Sequence, residues 1–318
     1  MDVLEGAELW AVVKADAYGH GAVDVARAVL GAGAKALCTA TVAEAVALRR
    51  ELAEPRILVM SPVPGTELRI AQESRLELAV SDTRVPEGLP VHVKLDTGMG
   101  RYGSRELPTL SENVVGLMSH LATADSDPAF AAEQVERFRV VAEAHPQLTA
   151  HLANSAAAFA LPDARFDAAR CGIALYGLSP FGTDPAEDGL EPVLSWRSEL
   201  AHVKRLEPGE STSYGRMFVA REPTWIGLVP LGYADGFRRD LTGTAVLVDG
   251  ERRRAVGTVS MDSFAVELDR ELPLGTPVTV IGDGLLVEEH ARIAGTINYE
   301  IVCGIRAHSD RARRVVAG

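Results

Sequence analysis

"AVVKADAYGHG", residues 11–21, decides how the chain is read. Ala11-Val12-Val13 ends an apolar run and delivers Lys14 into a small polar segment, closed by Gly19 and Gly21 around His20. Upstream, residues 9–13 have the composition of a buried strand. Downstream, residues 22–30 carry Val23, Ala26 and Leu30 at helical spacing, and Gly31-Ala32-Gly33 stops the pattern. Strand, tight turn and helix make one βα unit, with a lysine at the C-terminal end of its strand.

The unit repeats. Residues 36–39, 56–60, 76–80, 91–95, 114–118 and 148–152 read as buried strands, and 165–177 completes the series. Residues 42–52 and 129–145 read as helices between them. Buried strands alternating with helices argue for parallel βαβ units, and about eight of them suggest a (β/α)8 barrel of the TIM type. Two crossovers are short. Residues 81–90, "SDTRVPEGLP", hold two prolines, and 105–113 is no longer, whereas a crossover with its helix needs about 10–12 residues. Near Pro180 the style changes to β-branched runs broken by Gly, Asp and Pro, with "VDGERR" a hairpin signal and a short helix at 288–294. The expected division is an α/β barrel over 1–182 and a mostly-β domain over 183–318.

Composition narrows the function. The 318 residues are 47% hydrophobic and 24% charged, ample for a sizeable core. A net charge of −12 disfavours a nucleic-acid backbone as partner. The arginine runs at 252–254 and 311–314 read as solvated faces. No apolar run reaches the about 18 residues that span a bilayer, and the acidic start "MDVLEGAELW" lacks the basic region of a secretory leader. Cys38, Cys171 and Cys303 are far apart, with no metal-ligand spacing, which fits a reducing, cytoplasmic setting. Lysine occurs four times, at Lys14, Lys35, Lys94 and Lys204, against 28 arginines. Chemistry that needs an amine has few candidates.

Lys14 stands where barrel active sites are built, and a desolvated amine suits Schiff-base chemistry with an aldehyde cofactor. The alternative is a buried lysine paired with Asp16. In "KLDTGMGRYG", 94–103, glycines allow close approach of a ligand and Arg101 has the fork that grips a carboxylate; a glycine turn with a solvated arginine is the alternative. "HLANSAA", 151–157, and "RCGIALYG", 170–177, follow the seventh and eighth strands, a habitual phosphate site of such barrels. Asn154 and Ser155 suit a helix cap, and Arg170 suits either a ligand or a structural ion pair. His120, in "MSHLATAD", ends a strand and equally suits a hydrogen-bonded core. Tyr233 in "PLGYADGF", Met261 in "VSMDS" and Tyr299 in "INYEI" sit next to turns, where packing is the common role.

In order and context, "VVKADAYGHG", "KLDTGMGRYG", "SHLATAD", "HLANSAA", "RCGIALYG", "GYADGF", "GTVSMD" and "GTINYEI" resemble the alanine racemases, over about residues 9–305. The resemblance implies a barrel that binds pyridoxal 5′-phosphate, followed by a β domain. It implies that Lys14 holds the cofactor, and that Tyr18, Ser155, Gly172, Ile173 and Tyr299 surround its phosphate, beside Asn154. Arg170 would face the pyridine nitrogen, and Arg101 the cofactor's phenolic oxygen and the substrate carboxylate. Lys94 matches a lysine that is often carbamylated to orient that arginine. His120 would adjoin Tyr233, and Tyr233 and Met261 would come from the partner subunit of a homodimer with shared active sites.

The implied reaction is racemisation of alanine, with Lys14 and Tyr233 on opposite faces of the substrate, supplying D-alanine as a peptidoglycan precursor. An amine and a phenol both titrate near ~10 in isolation, so work near neutrality requires an environment that lowers them. Metal is not expected. A racemase of serine or of broad range, and a non-catalytic barrel that binds the same cofactor, are the alternatives. The two short crossovers depart from the family pattern, as do the absence of a strand and helix ahead of the first barrel strand and a loose match at "RARRVV".

Overall fold

The apolar runs form strands because they are buried on both faces, as parallel barrel strands are, and so need no alternation. In the computed structural model, which describes residues 2–82, 84–307 and 311–317, they are β1 (Glu8–Val12), β2 (Ala36–Thr39), β3 (Arg56–Val59), β4 (Glu77–Val80), β5 (Val91–Lys94), β6 (Val114–Met118), β7 (Thr149–His151) and β8 (Ala168–Cys171). Each pairs in parallel with the next, and β8 pairs with β1 from Glu8↔Ala168 to Ala11↔Cys171, closing an eight-stranded barrel. The expected barrel is present. All of it lies in the first of two units into which the chain divides, Met1–Leu175 and Tyr176–Gly318.

Helices α1 (Ala22–Gly31), α2 (Val42–Glu51), α3 (Leu68–Glu73), α4 (Pro128–Glu143) and α5 (Ser155–Ala160) follow β1, β2, β3, β6 and β7. Among the described residues, neither 81–90 nor 95–113 holds a helix. The Asn113 side-chain amide donates to the carbonyls of Pro86 and Leu89 (2.7 and 2.6 Å), bracing one short connection against the other. Among the described residues, the barrel is therefore closed with five regular α-helices and a left-handed turn at Lys14–Tyr18, rather than with eight helices.

The second unit is antiparallel. Its strands are β9 (Trp196–Glu199), β10 (His202–Leu206), β11 (Ser211–Thr212), β12 (Phe218–Val219), β13 (Thr224–Val229), β14 (Ala245–Val248), β15 (Glu251–Val256), β16 (Phe264–Leu268) and β17 (Pro277–Ile281). Seven form one sheet in the order β10-β13-β16-β15-β14-β17-β9, and β11 pairs with β12. The β14–β15 hairpin turns at Asp249-Gly250 with φ of 53° and 78°, the signature legible in "VDGERR". Helix α6 (Val287–Ala294) is the short helix expected, and a second, α7 (Asn298–Gly304), follows it. No helix among the described residues is long and apolar enough to cross a membrane.

Candidate active site

The barrel mouth is organised by the turn that begins at Lys14. Ala15, Asp16, Ala17 and Tyr18 all have left-handed backbone, with φ of 53°, 52°, 54° and 55°. For L-residues this conformation costs roughly 1–2 kcal/mol each, so the turn must be held from outside. Glu44, in the first turn of α2, holds it. Its carboxylate accepts from Ala15 N–H (2.8 Å) and from the N–H groups of Ala40 and Thr41 (2.8 and 3.2 Å), completing a capping box with Thr41. Asp16 accepts from Ala22 N–H (2.8 Å) and ties the far end of the turn to α1. Lys14 is thereby fixed, half-buried, at the C-terminal end of β1.

Cations crowd this mouth. Lys94 closes β5 and is buried, with its ammonium 5.5 Å from the centre of the Tyr102 ring. Burial, together with the positive charges of Arg170, Arg101 and Lys14, lowers its pKa to about 8. Arg101 lies exposed in the loop after β5. There Asp96 accepts from Gly98 and Gly100 N–H (both 3.0 Å), and Gly103, at φ +134°, folds back so tightly that a Cβ would lie 2.6 Å from Asp96 N. Arg170, on β8, is buried. It donates to His151 Nδ1 and His151 O (both 2.7 Å), to Ser119 O (2.6 Å) and to Leu152 O (3.2 Å), with His120 Nδ1 at 3.5 Å. Burial and the charges of Arg170, Lys94, Arg101 and Lys14 push His120 well below the usual histidine range, so it is neutral.

Next to β1, at the ends of β7 and β8, Ser155 and Gly172 form a polar cradle. Ser155 Oγ accepts from Gly172 N–H (2.9 Å) and Ala174 N–H (3.4 Å), and Asn154 Oδ1 caps α5 by accepting from Ala157 N–H (2.9 Å). A Cβ on Gly172 would lie 2.4 Å from the Tyr18 hydroxyl, so the absence of a side chain there is what admits Tyr18. Ile173 is buried beside it. Hydroxyls and backbone amides converging at strand ends seven and eight are a donor set suited to phosphate.

In the second unit the structure brings Tyr233 and Met261 together. Tyr233 N–H donates to Ser260 O and Ala234 N–H to Met261 O (both 3.1 Å), and a Cβ on Gly232 would meet Met261 O at 2.2 Å. Both side chains are exposed, at 42% and 52%. Asp235, buried beneath them, accepts from Gly232 N–H (2.9 Å) and from Arg311 Nε (2.6 Å), while Arg311 also reaches Asp262 (2.7 Å). Tyr299, half-buried, lies in α7, and Gly236 lets the Tyr233 loop pack on the end of that helix, at Gly304 O.

Three groups that shape these surroundings, two in the first unit and one in the second, were not singled out from sequence. Glu44 was legible as the fourth residue of the Thr41-x-x-Glu44 capping pattern, but its reach to the Lys14 turn was not. His151 was hidden in the apolar run "LTAHL". Arg311 read as a solvated charge and instead clamps the Tyr233 and Met261 loops.

A lysine held by a strained turn at the mouth of a parallel barrel, among arginines and beside a phosphate-type cradle, defines the class: an α/β-barrel enzyme built for amine chemistry. Residues 1–180 match the family model "Alanine racemase, N-terminal domain" and 193–315 match "Alanine racemase, C-terminal domain". The chain is 40% identical to "Alanine racemase 1" of Bacillus subtilis (strain 168), covering 96% of this chain and 86% of that one. It is 39% identical to the alanine racemase of Ligilactobacillus salivarius, with 96% and 91% covered. The crystal structure of alanine racemase from D-cycloserine-producing Streptomyces lavendulae superposes with a TM-score of 0.90 at 35% identity, covering 100% of this chain and 92% of that one. The chain belongs to the alanine racemase family, and it is an enzyme of the isomerase class.

Proposed function

We propose that this chain interconverts L- and D-alanine with pyridoxal 5′-phosphate, using Lys14 and Tyr233 as its two acid/base groups. The observation that carries the proposal is the Lys14 turn, fixed by Glu44, with the Tyr18–Ser155–Gly172 cradle adjoining it at the end of the neighbouring strand β8. These residues fit the cofactor: an amine for its aldehyde, and hydroxyl and amide donors for its phosphate. Arg170 suits the ring nitrogen, and Tyr299 would add a further phosphate contact. When bound, pyridoxal phosphate supplies a ring that delocalises negative charge from the α-carbon of the amino acid.

The chain's own residues do the rest. Racemisation removes a proton from one face of the α-carbon and returns one to the other, so a single base on one face is insufficient. Lys14 would serve one face through its amine and Tyr233 the other through its phenol. Arg101, exposed in the loop after β5, would hold the substrate carboxylate in a bidentate fork. A Lys94 amine lowered to about 8 is partly neutral near physiological pH. It suits attack on carbon dioxide with loss of a proton, giving a carbamate anion that would orient Arg101. The exposure of Tyr233 and Met261, held together and clamped by Arg311, supports their insertion into a partner subunit's site in a homodimer. His120 would adjoin that tyrosine. We assign residues 1–182 to the cofactor-binding domain and 183–318 to the domain contributing Tyr233. The setting is the cytoplasm, and the physiological product is D-alanine for the peptidoglycan precursor.

Incubating L-alanine with the purified protein and pyridoxal phosphate, followed by chiral chromatography, tests the reading. An equal mixture of the two enantiomers is expected. L-alanine left unchanged would reject it, and equally fast racemisation of L-serine would reject alanine as the preferred substrate.

A further inference from the structure

Beneath Arg170 a chain of polar side chains runs down the inside of the barrel. His151 Nε2 lies 2.9 Å from His92 Nδ1, His92 Nε2 lies 2.9 Å from Glu77 Oε2, and Arg56 grips the Glu77 carboxylate from Nε (2.7 Å) and Nη2 (3.0 Å). The four inner groups come from β8, β7, β5 and β4. His92 and His151 are fully buried, and Trp10 packs on both rings, at centroid distances of 5.5 and 4.4 Å. The sequence makes room for this chain. Gly116 interrupts β6 where a Cβ would lie 2.2 Å from His92 Nδ1, so a glycine in the middle of a strand is explained by the imidazole against it.

The direction of every bond is set from the two ends of the chain: Glu77, gripped as a carboxylate by Arg56, only accepts, and Arg170 only donates. His151 Nδ1, facing Arg170 at 2.7 Å, must therefore accept, which places the His151 proton on Nε2. That proton is donated to His92 Nδ1, which places the His92 proton on Nε2 in turn, and Glu77 accepts it. Reversing either ring would set two donors face to face. The acceptors around Arg170 itself are all neutral, carbonyls and imidazoles, so the carboxylate that ends the chain is Glu77.

We propose that Glu77 is a positioning residue for the racemase site: as terminal acceptor of the one-directional chain Arg170→His151→His92→Glu77, it fixes both imidazoles as Nε2–H tautomers and so holds the Arg170 guanidinium in place. The role of Arg170 toward the cofactor ring rests on the function proposed above; the chain itself does not. Both histidines are pushed below their usual range, first by burial, in keeping with neutral rings. For Glu77, burial works upward, but the hydrogen bonds from His92 and Arg56 outweigh it and bring the carboxyl down to about 2. The groups facing the chain are Glu8 and Trp10 on β1, Cys38 on β2, Arg56 on β3, Lys94 on β5 and Cys171 on β8.

Two substitutions separate this role from mere stability. Glu77→Leu removes the acceptor, and Glu77→Gln keeps an oxygen for His92 while losing the charge that Arg56 grips. The 318-residue chain, labelled with nitrogen-15 at histidine and free of cofactor, reports the tautomers directly by NMR, with His92 and His151 assigned by single substitution. Wild type is expected to show both as Nε2–H, Glu77→Gln to keep that pattern, and Glu77→Leu to lose it. With pyridoxal phosphate added, Glu77→Leu is expected to lower kcat at least about tenfold, as losses behind a ligating group commonly do, with the KM for alanine within about twofold. Glu77→Gln should fall between it and wild type. If Glu77→Leu does not fold, His92→Phe keeps a ring against Trp10 and is expected to release the His151 tautomer. Unchanged tautomers in whichever of Glu77→Leu or His92→Phe is read, or equal loss of kcat in Glu77→Leu and Glu77→Gln, would overturn the proposal. A wild-type protein inactive on alanine would sink the functional reading alone, since the cofactor-free spectra still decide the chain.

Discussion

Lys14, Glu44, Tyr18 and Gly172 show how single residues carry the site. Four successive left-handed residues are tolerated after β1 because Glu44 and Asp16 take up N–H groups at both ends of the turn. The same turn brings Tyr18 to Gly172, where there is no space for a methyl group. Gly172→Ala is therefore expected to leave the barrel folded and to displace the tyrosine hydroxyl. Overpacking of about 1–3 kcal/mol corresponds to roughly 5- to 150-fold weaker cofactor affinity. A fluorescence titration with pyridoxal phosphate measures it. Affinity equal to wild type would show that the Tyr18–Gly172 contact is not part of the phosphate site.

At the scale of elements, most of the barrel was legible, because strands buried on both faces write themselves as apolar runs and the lysine marked the end of the first. The resemblance supplied the roles; local pattern supplied the positions of Lys14, Ser155 and Arg170. The two connections without helices were legible as too short, and Asn113 shows how they are braced instead. Helix α7 was missed because "INYEIVCG" is a short apolar run that suits a strand equally well. The interior chain was missed for a different reason. Glu77, His92 and His151 each read as one polar residue in an apolar strand, and only closure of the barrel puts strands β4, β5 and β7 around a common axis. Gly116 was the remaining signal, a glycine inside "VVGLM" with no turn to explain it.

For the molecule as a whole, burying neutral histidines has a cost in acid. His92, His120 and His151 are all held below the usual value near 6.5, by burial first and then, for His120 and His151, by Arg170. A depressed histidine binds its proton in the unfolded chain before the folded one. Stability is therefore full above about pH 6.5 and falls as pH drops below it, by roughly 1.4 kcal/mol per pH unit for each such histidine. Denaturant unfolding of the cofactor-free protein is expected to show lower stability at pH 5.5 than at pH 7.5; equal stability at the two would mean that these rings take up protons as readily in the native state as in the unfolded chain. The central claim is that two groups on opposite faces of the α-carbon, Lys14 and Tyr233, exchange the proton. It is tested most directly in deuterium oxide, by mass spectrometry of the first D-alanine formed from protiated L-alanine. The account predicts that all of this D-alanine carries deuterium at the α-carbon, because the group that delivers is not the group that removed. D-alanine retaining the original protium would contradict it.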